Sequence, residues 1–496
     1  MTNVLYLPLD ERPCNRVFAA KICRGTPVTL ICPDKSILGD KKNPADSDAV
    51  VRFLTDNAAN ASACVLSLDM LLYGGIVPSR LHNLTQEQLD SRLDAVERLV
   101  RINPKLKIYG FSLIMRCPSY DSDDEEPAYY ATNGRDIFLY GQTLHKVQEG
   151  VLDKNEGDKL LASLRDKIGN DNLSDFENRR KTNLSMLKKI LQKRHLFEQF
   201  VIPQDDSSEW GYTTLDRAEL RRFERQQGLQ PTPMYPGADE VGMSLLSRAV
   251  CDLYDKHPRV ACFWAAKGAP DVVPLFEDRP VGKTLPVQLS VAGCLQTSEN
   301  ADIELYLNYP DSQPKNVGET PSEGYAARDL QAFCSDIAQA VKSGKVVAVA
   351  DGAYCNGGDE RFVETLQSKI QLTDLASYAG WNTSSNTLGT AICAAVFVWL
   401  FGKTKFSELF VAERFAEDLA YCGFVRKYVC DNILPQIGLD YFHADGKNGK
   451  AAEIVKEQIT KYMQIRLPQI AQKYVVCYCA LPWQRMFETE LDLVEK

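Results

Sequence analysis

The stretch Val4-Leu5-Tyr6-Leu7-Pro8-Leu9-Asp10-Glu11-Arg12-Pro13 joins an apolar run to a cluster of charged side chains. A short apolar run that ends at a turn signal is typical of a buried parallel strand, and proline suits the first position of a helix. The stretch therefore predicts a strand, a charged turn and a helix. In α/β proteins, ligands bind at the carboxyl ends of such strands.

The same alternation of apolar runs and amphipathic stretches continues through the first half of the chain. Seven runs are candidate strands: 4–9, 28–32, 63–68, 107–114, 200–203, 233–235 and 260–265. Helical spacing occurs between them, and Thr85 followed by Gln88 resembles a capping box. We expect an α/β protein whose residues 1–277 form a (β/α) barrel-like domain, of the TIM-barrel type, with a polar helical insertion at about 129–196.

The pattern of residues along the sequence changes after residue 277. Runs at 287–291, 303–308 and 346–350 predict further strands, and helical spacing occurs at 326–342, 361–366 and 388–401. These features predict a second α/β domain over residues 278–404. Residues 405–496 are expected to be mainly helical.

Composition limits the classes of partner. The chain has 496 residues, and 57 Lys and Arg against 66 Asp and Glu give a formal charge of −9. An acidic chain without a basic block is not expected to bind nucleic acid or an anionic membrane. A small-molecule, sugar-like ligand fits better, and the sequence does not indicate an oligomeric state.

Histidine and cysteine usage points away from metal and thiol chemistry. The five histidines are scattered, and the 15 cysteines lie mostly in apolar runs without a CxxC pair. Buried free thiols, no resident metal and no cofactor are therefore expected. Carboxylates are the expected carriers of acid and base chemistry. The chain starts without the basic segment of a signal peptide, and the apolar run 391–401 is short for a membrane span, so we expect a cytoplasmic protein.

Polar side chains follow six of the seven candidate strands. They are Asp10, Glu11 and Arg12 after the first strand, Asp69, Tyr73 and Arg80 after the third, Arg116 after the fourth, Asp205, Asp206, Trp210 and Tyr212 after the fifth, Asp239 and Glu240 after the sixth, and Lys267 after the seventh. Because the carboxyl ends of parallel strands share one edge, these groups are expected to form one site.

Each group also has a purely structural interpretation. Asp10 could pair with Arg12 in an ion pair, and Asp239 and Glu240 could favour the amino end of a helix. The acidic run 121–126 is typical of a solvated loop. The arginines could neutralise nearby carboxylates instead of holding an anionic substrate.

Asp205 and Asp206 are the sharpest single feature. Two adjacent carboxylates that are buried together cannot both ionise freely, so one of them becomes a candidate proton donor. Glycosidic bond cleavage needs such a donor. Asp205, Asp206, Asp239 and Glu240 are therefore the candidate catalytic residues, with the last two in reserve.

The second region supplies two further polar clusters. Asp351, Asn356 and Asp359 lie in a glycine-containing segment after an apolar strand, where a tight turn is an equally good explanation. Trp381, Asn382 and Asn386 precede the apolar helix, where one helix cap would suffice. Amides and hydroxyls beside an indole suit a sugar-like ligand.

Read together, these segments resemble the bacterial domain-of-unknown-function family DUF4127. The resemblance covers nearly the whole chain and rests on residues 7–15, Asp69 with 73–75 and 78–80, 114–116, 204–206, 236–240 and 378–383. It implies that the segments form one site, but it carries no known reaction. The paired Asp is also similar to the catalytic pair of the substrate-assisted β-N-acetylhexosaminidases, a likeness limited to two residues and their strand.

The leading hypothesis is a carbohydrate-active hydrolase, a glycoside hydrolase acting on a small sugar, with a 2-acetamido sugar as one candidate. Asp206 would be the general acid, and Asp205 would orient the acetamido group or stabilise charge. Two alternatives stay open. One is an amidohydrolase or lyase with Mg²⁺ or Mn²⁺ held by Asp10, Asp69, Asp205 and Asp239. The other is a sugar-binding protein without catalytic activity.

Overall fold

Two open parallel β-sheets organise residues 2–496, which a computed structural model describes. The first sheet has the strand order β2-β1-β3-β4-β5-β6, and every pair in it is parallel. Its strands are β1 (Thr2–Leu7), β2 (Val28–Ile31), β3 (Ala63–Ser67), β4 (Lys107–Phe111), β5 (Gln199–Gln204) and β6 (Met234–Pro236). These are the first six strands that the sequence predicts.

The second sheet has the order β8-β7-β9-β11-β13 and is also parallel throughout. Its strands are β7 (Arg259–Trp264), β8 (Leu295–Gln296), β9 (Ile303–Leu307), β11 (Val346–Ala350) and β13 (Ser377–Ala379), while β10 (Lys315–Asn316) pairs with β12 (Tyr354–Cys355). When the strands of each sheet are numbered in the order in which they occur along the chain, both sheets begin with the strand order 2-1-3-4-5. The chain reverses its direction of winding beside the first strand of each sheet, which is where ligands bind in such folds.

The structure does not show the closed barrel that the sequence predicts. β6 and β2 are edge strands of the first sheet, and β7 pairs with β9 through the register Val260↔Ile303 instead of closing that sheet. Hydrophobic alternation identifies a strand but not its partner, so an open pair of sheets and a barrel look alike in the sequence. The mixed α/β class itself is confirmed.

Helices cover both sheets and form the insertion after β4. They are α1 (Pro13–Cys23), α2 (Ser47–Ala58), α3 (Leu68–Tyr73), α4 (Gln86–Ile102), α5 (Tyr130–Gln148), α6 (Lys154–Ile168), α7 (Asn170–Gln192), α8 (Tyr212–Gln226), α9 (Val241–Tyr254), α10 (Val281–Val291), α11 (Leu330–Lys342), α12 (Glu360–Gln367) and α13 (Ser384–Phe401). The helix α4 starts at the predicted capping box of Thr85 and Gln88. The predicted strand 287–291 is wrong, because this run is the last part of α10.

Helices α9 and α13 pack against each other between the two sheets and share one apolar core with both. At Gly389 a Cβ atom would lie 2.3 Å from Cγ of Glu240, so glycine permits the close approach of the two helices there. In length and apolar composition, α13 could span a membrane, but 83% of it is buried inside the fold. This is the position of the core helix of a soluble protein.

The C-terminal region contains several helices and a hairpin. Its helices are α14 (Lys405–Arg414), α15 (Arg426–Asn432), α16 (Lys450–Arg466) and α17 (Pro468–Lys473), with a π-helix (Phe415–Val425) between the first two. β14 (Tyr474–Ala480) pairs antiparallel with β15 (Glu490–Glu495). A register shift between Val476 and Tyr478 exposes Cys477 and buries Cys479, so the two sulfurs do not share the face that simple alternation predicts.

Candidate functional site

A cavity of about 360 Å³ lies between the carboxyl ends of the two sheets. We call it the central cavity. Loops that follow five strands of the first sheet line it, together with loops of the second sheet and of the C-terminal region. Its charged lining residues are Arg12, Arg80, Arg116, Arg485, Asp121, Asp124, Glu125, Asp205, Asp206 and Asp239. Eight of the sequence-predicted site residues therefore meet here: Arg12, Arg80, Arg116, Asp205, Asp206, Asp239, Asn356 and Asn382.

Arg12 organises one side of the central cavity. The chain turns sharply after β1, because Oδ1 of Asp10 accepts a hydrogen bond from the backbone N–H of Arg12, and Pro13 then starts α1. The guanidinium donates to Oδ2 of Asp10 at 2.8 Å and to Oδ1 of Asp239 at 2.6 Å. Asn15 donates to both carboxylates at 2.9 Å. The ends of β1 and β6 are thus joined by a buried charge network.

Two further arginines hold the adjacent aspartates on the opposite side. Nη2 of Arg80 donates to Oδ2 of Asp205 at 2.6 Å, and Nη1 of Arg116 donates to Oδ2 of Asp206 at 3.0 Å. The contacts therefore agree with the structural interpretation of the arginines, since each one neutralises a carboxylate. The same pairs fix both aspartates at the wall of the cavity.

The acidic run 121–126 is only in part the solvated loop that its composition predicts, because Asp121 and Asp123 are exposed whereas Glu125 and Glu126 pair with arginines. Glu126 is buried and accepts hydrogen bonds from Arg80 and Arg116, and Oε2 of Glu125 lies 2.8 Å from Nη1 of Arg80 and 3.2 Å from Nη2 of Arg116. The signal that could have revealed this was the pair of arginines at strand ends, because guanidinium groups at the edge of a sheet require nearby counter-charges.

The C-terminal region closes the cavity with residues that the sequence reasoning missed. Arg485 and Phe487 come from the loop between β14 and β15, and Tyr441 and Phe442 come from the segment before α16. None of them follows a parallel strand, so a search of strand ends could not find them. The pair of aromatic residues at 441–442 and the mixed run 483–488 were the available signals.

Strained backbone concentrates at this cavity. Among residues 2–496, nine non-glycine residues have positive φ, and four of them line the cavity: Asp206 (φ 34°), Phe276 (φ 66°), Asn356 (φ 64°) and Asn382 (φ 50°). Aspartate and asparagine tolerate this region, whereas phenylalanine is an outlier there. Such conformations persist where the surroundings hold them in place, which is common at functional sites.

Burial changes the proton affinity of the cavity carboxyls. It raises the pKa of Asp206 to about 6, although Arg116 acts in the opposite direction. Burial likewise raises the pKa of Asp239 and brings that of Glu488, a neighbour of Arg12, to about 7. For Glu125, burial is outweighed by Arg485, Arg116 and Arg80, which hold its pKa well below the usual range. Carboxyl groups with raised pKa values therefore lie beside one carboxylate, Glu125, whose pKa is lowered.

Three predicted residues lie behind the cavity wall. Asp10 is held by Arg12 and Asn15, as described above. Oε1 of Glu11 accepts hydrogen bonds from Nε1 of Trp483 at 2.6 Å and from the backbone of Lys41 at 3.0 Å. Asp69 accepts from the backbone N–H of Leu113 at 3.0 Å, and burial raises its pKa to about 7. These residues brace the strand ends and do not reach the cavity.

Glu240 lies outside the cavity and faces the helices. It is fully buried, and its carboxyl accepts hydrogen bonds from the backbone of Ala238 at 3.0 Å and from Nε2 of Gln288 at 3.4 Å. Its predicted catalytic role therefore finds no geometric support, because its side chain does not line the central cavity. Burial raises the pKa of Glu240 to about 8.

This raised pKa predicts a pH-dependent cost to stability. The folded protein holds a proton on Glu240 that the unfolded chain releases near its ordinary pKa, so the contribution of Glu240 to stability is lost as pH rises towards about 8. We expect Glu240→Gln to unfold at higher urea concentration than wild type at about pH 8.5 and at nearly equal concentration at about pH 4.5. The exposed Glu299→Gln is the control, and its stability relative to wild type should not depend on pH in this way. Equal stability of E240Q and wild type at both pH values would contradict the assignment.

The aromatic side chains that were predicted to bind substrate after the strands of the first sheet make packing contacts instead. Tyr73 stacks on His82 with ring centroids 4.6 Å apart, and Trp210 packs against His145 at 4.9 Å. The hydroxyl of Tyr212 donates to Glu177 in α7. These three aromatic side chains anchor the loops and the helical insertion and do not line the cavity.

Asp351 and Asp359 are also engaged elsewhere. Asp351 accepts hydrogen bonds from Asn308, from the backbone of Asp359 and from Tyr378, at 2.8, 2.8 and 2.9 Å. Asp359 caps α12 and pairs with Arg328 at 2.7 Å. The cluster ties together the ends of β9, β11 and β13 and has a structural role.

The polar segment before α13 contributes one residue to the cavity instead of three. Nε1 of Trp381 donates to Thr390 at 3.2 Å, and the ring is buried against Phe18. Asn386 is buried in the first turn of α13, below its cap Thr383. Asn382, with its positive φ, turns out to the cavity and donates to Asp239 at 3.4 Å.

The carboxylates of the metal hypothesis do not gather around one point. Asp10 and Asp239 meet at Arg12, Asp205 meets Arg80, and Asp69 meets a backbone N–H. Residues 2–496 contain no group of three or more His, Cys, Asp or Glu side chains that could hold a metal ion.

Comparison with known proteins gives the family. A search of the curated proteins found no match. The family described as "Protein of unknown function (DUF4127)" matches residues 4–492, which include every element of both sheets from the middle of β1 and every residue of the central cavity. Because this match spans nearly the whole chain, the protein belongs to the DUF4127 family.

Proposed function

We propose that this protein is a cytoplasmic glycoside hydrolase that acts on a small sugar in the central cavity. The observation that carries the proposal is that Asp205, Asp206 and Asp239 line one cavity, each held by its own arginine. Hydrolysis of a glycosidic bond requires two carboxyl groups with different proton affinities around one substrate.

Asp206 is the proposed general acid. Its raised pKa, about 6, keeps a substantial protonated fraction near neutral pH, so that it can protonate the leaving oxygen. Asp205 is the proposed partner, which stabilises developing positive charge or orients a 2-acetamido group. It receives one hydrogen bond among the described residues, from Arg80 to Oδ2, so Oδ1 is open to a substrate. Asp239 is the reserve partner.

The rest of the cavity suits a ring with hydroxyl groups. Asn356 and Asn382 present amides, and Tyr120, Phe276, Tyr441, Phe442 and Phe487 line the wall with aromatic rings. Aromatic faces combined with a few fixed polar groups are typical of small-molecule sites. The aromatic residues predicted from the sequence, Trp210 and Trp381, are replaced in this role by residues of the loops and of the C-terminal region.

The proposal predicts a specific pH dependence. Because the general acid must be protonated, kcat/KM should fall as pH rises through about 6, the pKa of Asp206 in the free enzyme. The measurement is the pH profile of kcat/KM with an aryl glycoside, and an activity that keeps rising above about pH 7 would contradict Asp206 as the acid.

The direct test is a panel of aryl glycosides that includes glucosides, galactosides, N-acetylglucosaminides and N-acetylgalactosaminides. Release of the aryl group by the purified wild-type protein, absent from the Asp206→Asn variant, supports the proposal. Faster turnover of the 2-acetamido substrates than of their 2-hydroxyl counterparts supports the role of Asp205. Binding of intact glycosides without any product would instead indicate a sugar-binding protein.

A further inference from the structure

Arg485 occupies a distinctive place in the central cavity. Its side chain is 5% exposed, and its Nη1 lies 2.7 Å from Oδ2 of Asp124 and 2.5 Å from Oε1 of Glu125. The guanidinium stacks between the rings of Trp483 and Phe487, at 4.6 and 5.0 Å. A guanidinium held between two rings and two carboxylates has little freedom to move.

Glu125 connects Arg485 to the proposed catalytic pair. One of its carboxylate oxygens faces Arg485, and the other accepts hydrogen bonds from Arg80 at 2.8 Å and from Arg116 at 3.2 Å. The same two arginines hold the pair through other nitrogens, since Arg80 binds Asp205 and Arg116 binds Asp206. A continuous chain of charged contacts therefore runs from Arg485 to both aspartates.

We propose that Arg485 is a positioning residue for the Asp205–Asp206 pair: it fixes Glu125, and Glu125 fixes the two arginines that orient the pair. The assignment deepens the proposed function, on which the catalytic role of the pair rests, whereas the contacts themselves are independent of any activity. It makes the C-terminal loop part of the active site, although this loop is 360 residues from Glu125 in the sequence.

The chain of contacts also affects the proton affinity of Asp206. The groups that face Asp206 are Arg116, Asp205, Arg80, Glu125 and Tyr120. Those that face Arg485 are Asp124, Glu125, Glu488 and Arg12. Without the cation at position 485, the negative charge of Glu125 is less balanced and acts more strongly on Asp206. Loss of the cation therefore raises the proton affinity of Asp206.

The test measures that proton affinity without substrate. Potentiometric titration of wild type minus Asp206→Asn gives the midpoint for Asp206, and the same difference in the Arg485→Gln background gives the shifted value. We expect the midpoint to rise by about one pH unit in R485Q. With an aryl glycoside, the alkaline limb of the kcat/KM profile should move up by the same amount, which loss of stability alone would not produce.

Arg328→Gln is the matched control, because Arg328 is also a buried arginine in an ion pair but lies at the second sheet. It should lower thermal stability and leave the Asp206 midpoint unchanged. Arg485→Lys can keep one of the two contacts and should give a smaller upward shift than R485Q.

An unchanged midpoint in a folded R485Q overturns the proposal. If R485Q does not fold, Glu125→Gln tests the same link, because it removes the negative charge that raises the proton affinity of Asp206; an Asp206 midpoint equal to that of wild type then overturns the proposal. A wild-type protein that hydrolyses no glycoside removes the proposed function but leaves the titration result standing, so the two failures are distinguishable.

Discussion

Replacement of Asp206 by Asn should lower kcat/KM for aryl glycosides by about 100- to 10,000-fold, the usual contribution of a general acid, which is the role that we propose for Asp206. The loss should be largest for poor leaving groups and small for activated ones such as dinitrophenyl glycosides, because these leave without protonation. Steady-state kinetics over a series of aryl leaving groups measures both effects. The alkaline limb near pH 6 should disappear in this variant, since the titrating group is gone.

Asp216→Asn is the matched control for this experiment. Burial also raises the pKa of Asp216, in α8, to about 6, but its carboxylate pairs with Arg180 of α7 and does not line the central cavity. Its substitution should leave kcat/KM and the leaving-group dependence close to the wild-type values. An equal loss of activity in both variants would mean that the effect of D206N is a general loss of structure.

Replacement of Arg12 by Gln should lower the free energy of unfolding by about 3–5 kcal/mol, the usual cost of breaking a buried ion pair. Arg12 is 5% exposed and balances the carboxylates of Asp10, Asp239 and Glu488. Without it, buried negative charges face one another at the ends of β1 and β6. Urea unfolding at neutral pH measures the loss.

The loss in R12Q should shrink as pH falls. The pKa of Glu488 is already raised to about 7 and that of Asp239 is raised as well, so both groups take up protons readily once Arg12 is removed. Arg52→Gln, an exposed substitution in α2, should change the free energy by less than about 0.5 kcal/mol. A loss in R12Q that is equally small would show that the network contributes little to the stability of the fold.

Local patterns in the sequence predicted the elements better than their arrangement. The strand β11 and the caps of α4 depend on a few neighbouring residues, and both appear where expected. The pairing of β7 with β9 depends on contacts between the two sheets, which no short pattern records. The mistaken strand at 287–291 shows the same limit, because a five-residue window cannot distinguish the end of an amphipathic helix from a strand.

The residues of the candidate site show the same difference between local patterns and long-range arrangement. Arg12, Arg116 and Asp206 were found because the carboxyl ends of parallel strands share an edge, a rule that needs only the strands. Of the predicted Trp381, Asn382 and Asn386, only Asn382 lines the cavity, and its positive φ is a backbone feature that the strand-end rule does not predict. Arg485 could not be found in this way, since it comes from an antiparallel hairpin whose position depends on the completed fold.

The position of Arg485 also matters while the protein is being made. Glu125 leaves the ribosome 360 residues before Arg485, and at ordinary rates of translation this interval is on the order of 20 to 70 seconds. During that time the acidic run beside Arg80 and Arg116 exists without its C-terminal cation. The nascent chain can therefore form its first sheet early, but the complete cavity exists only after the loop between β14 and β15 has emerged and docked.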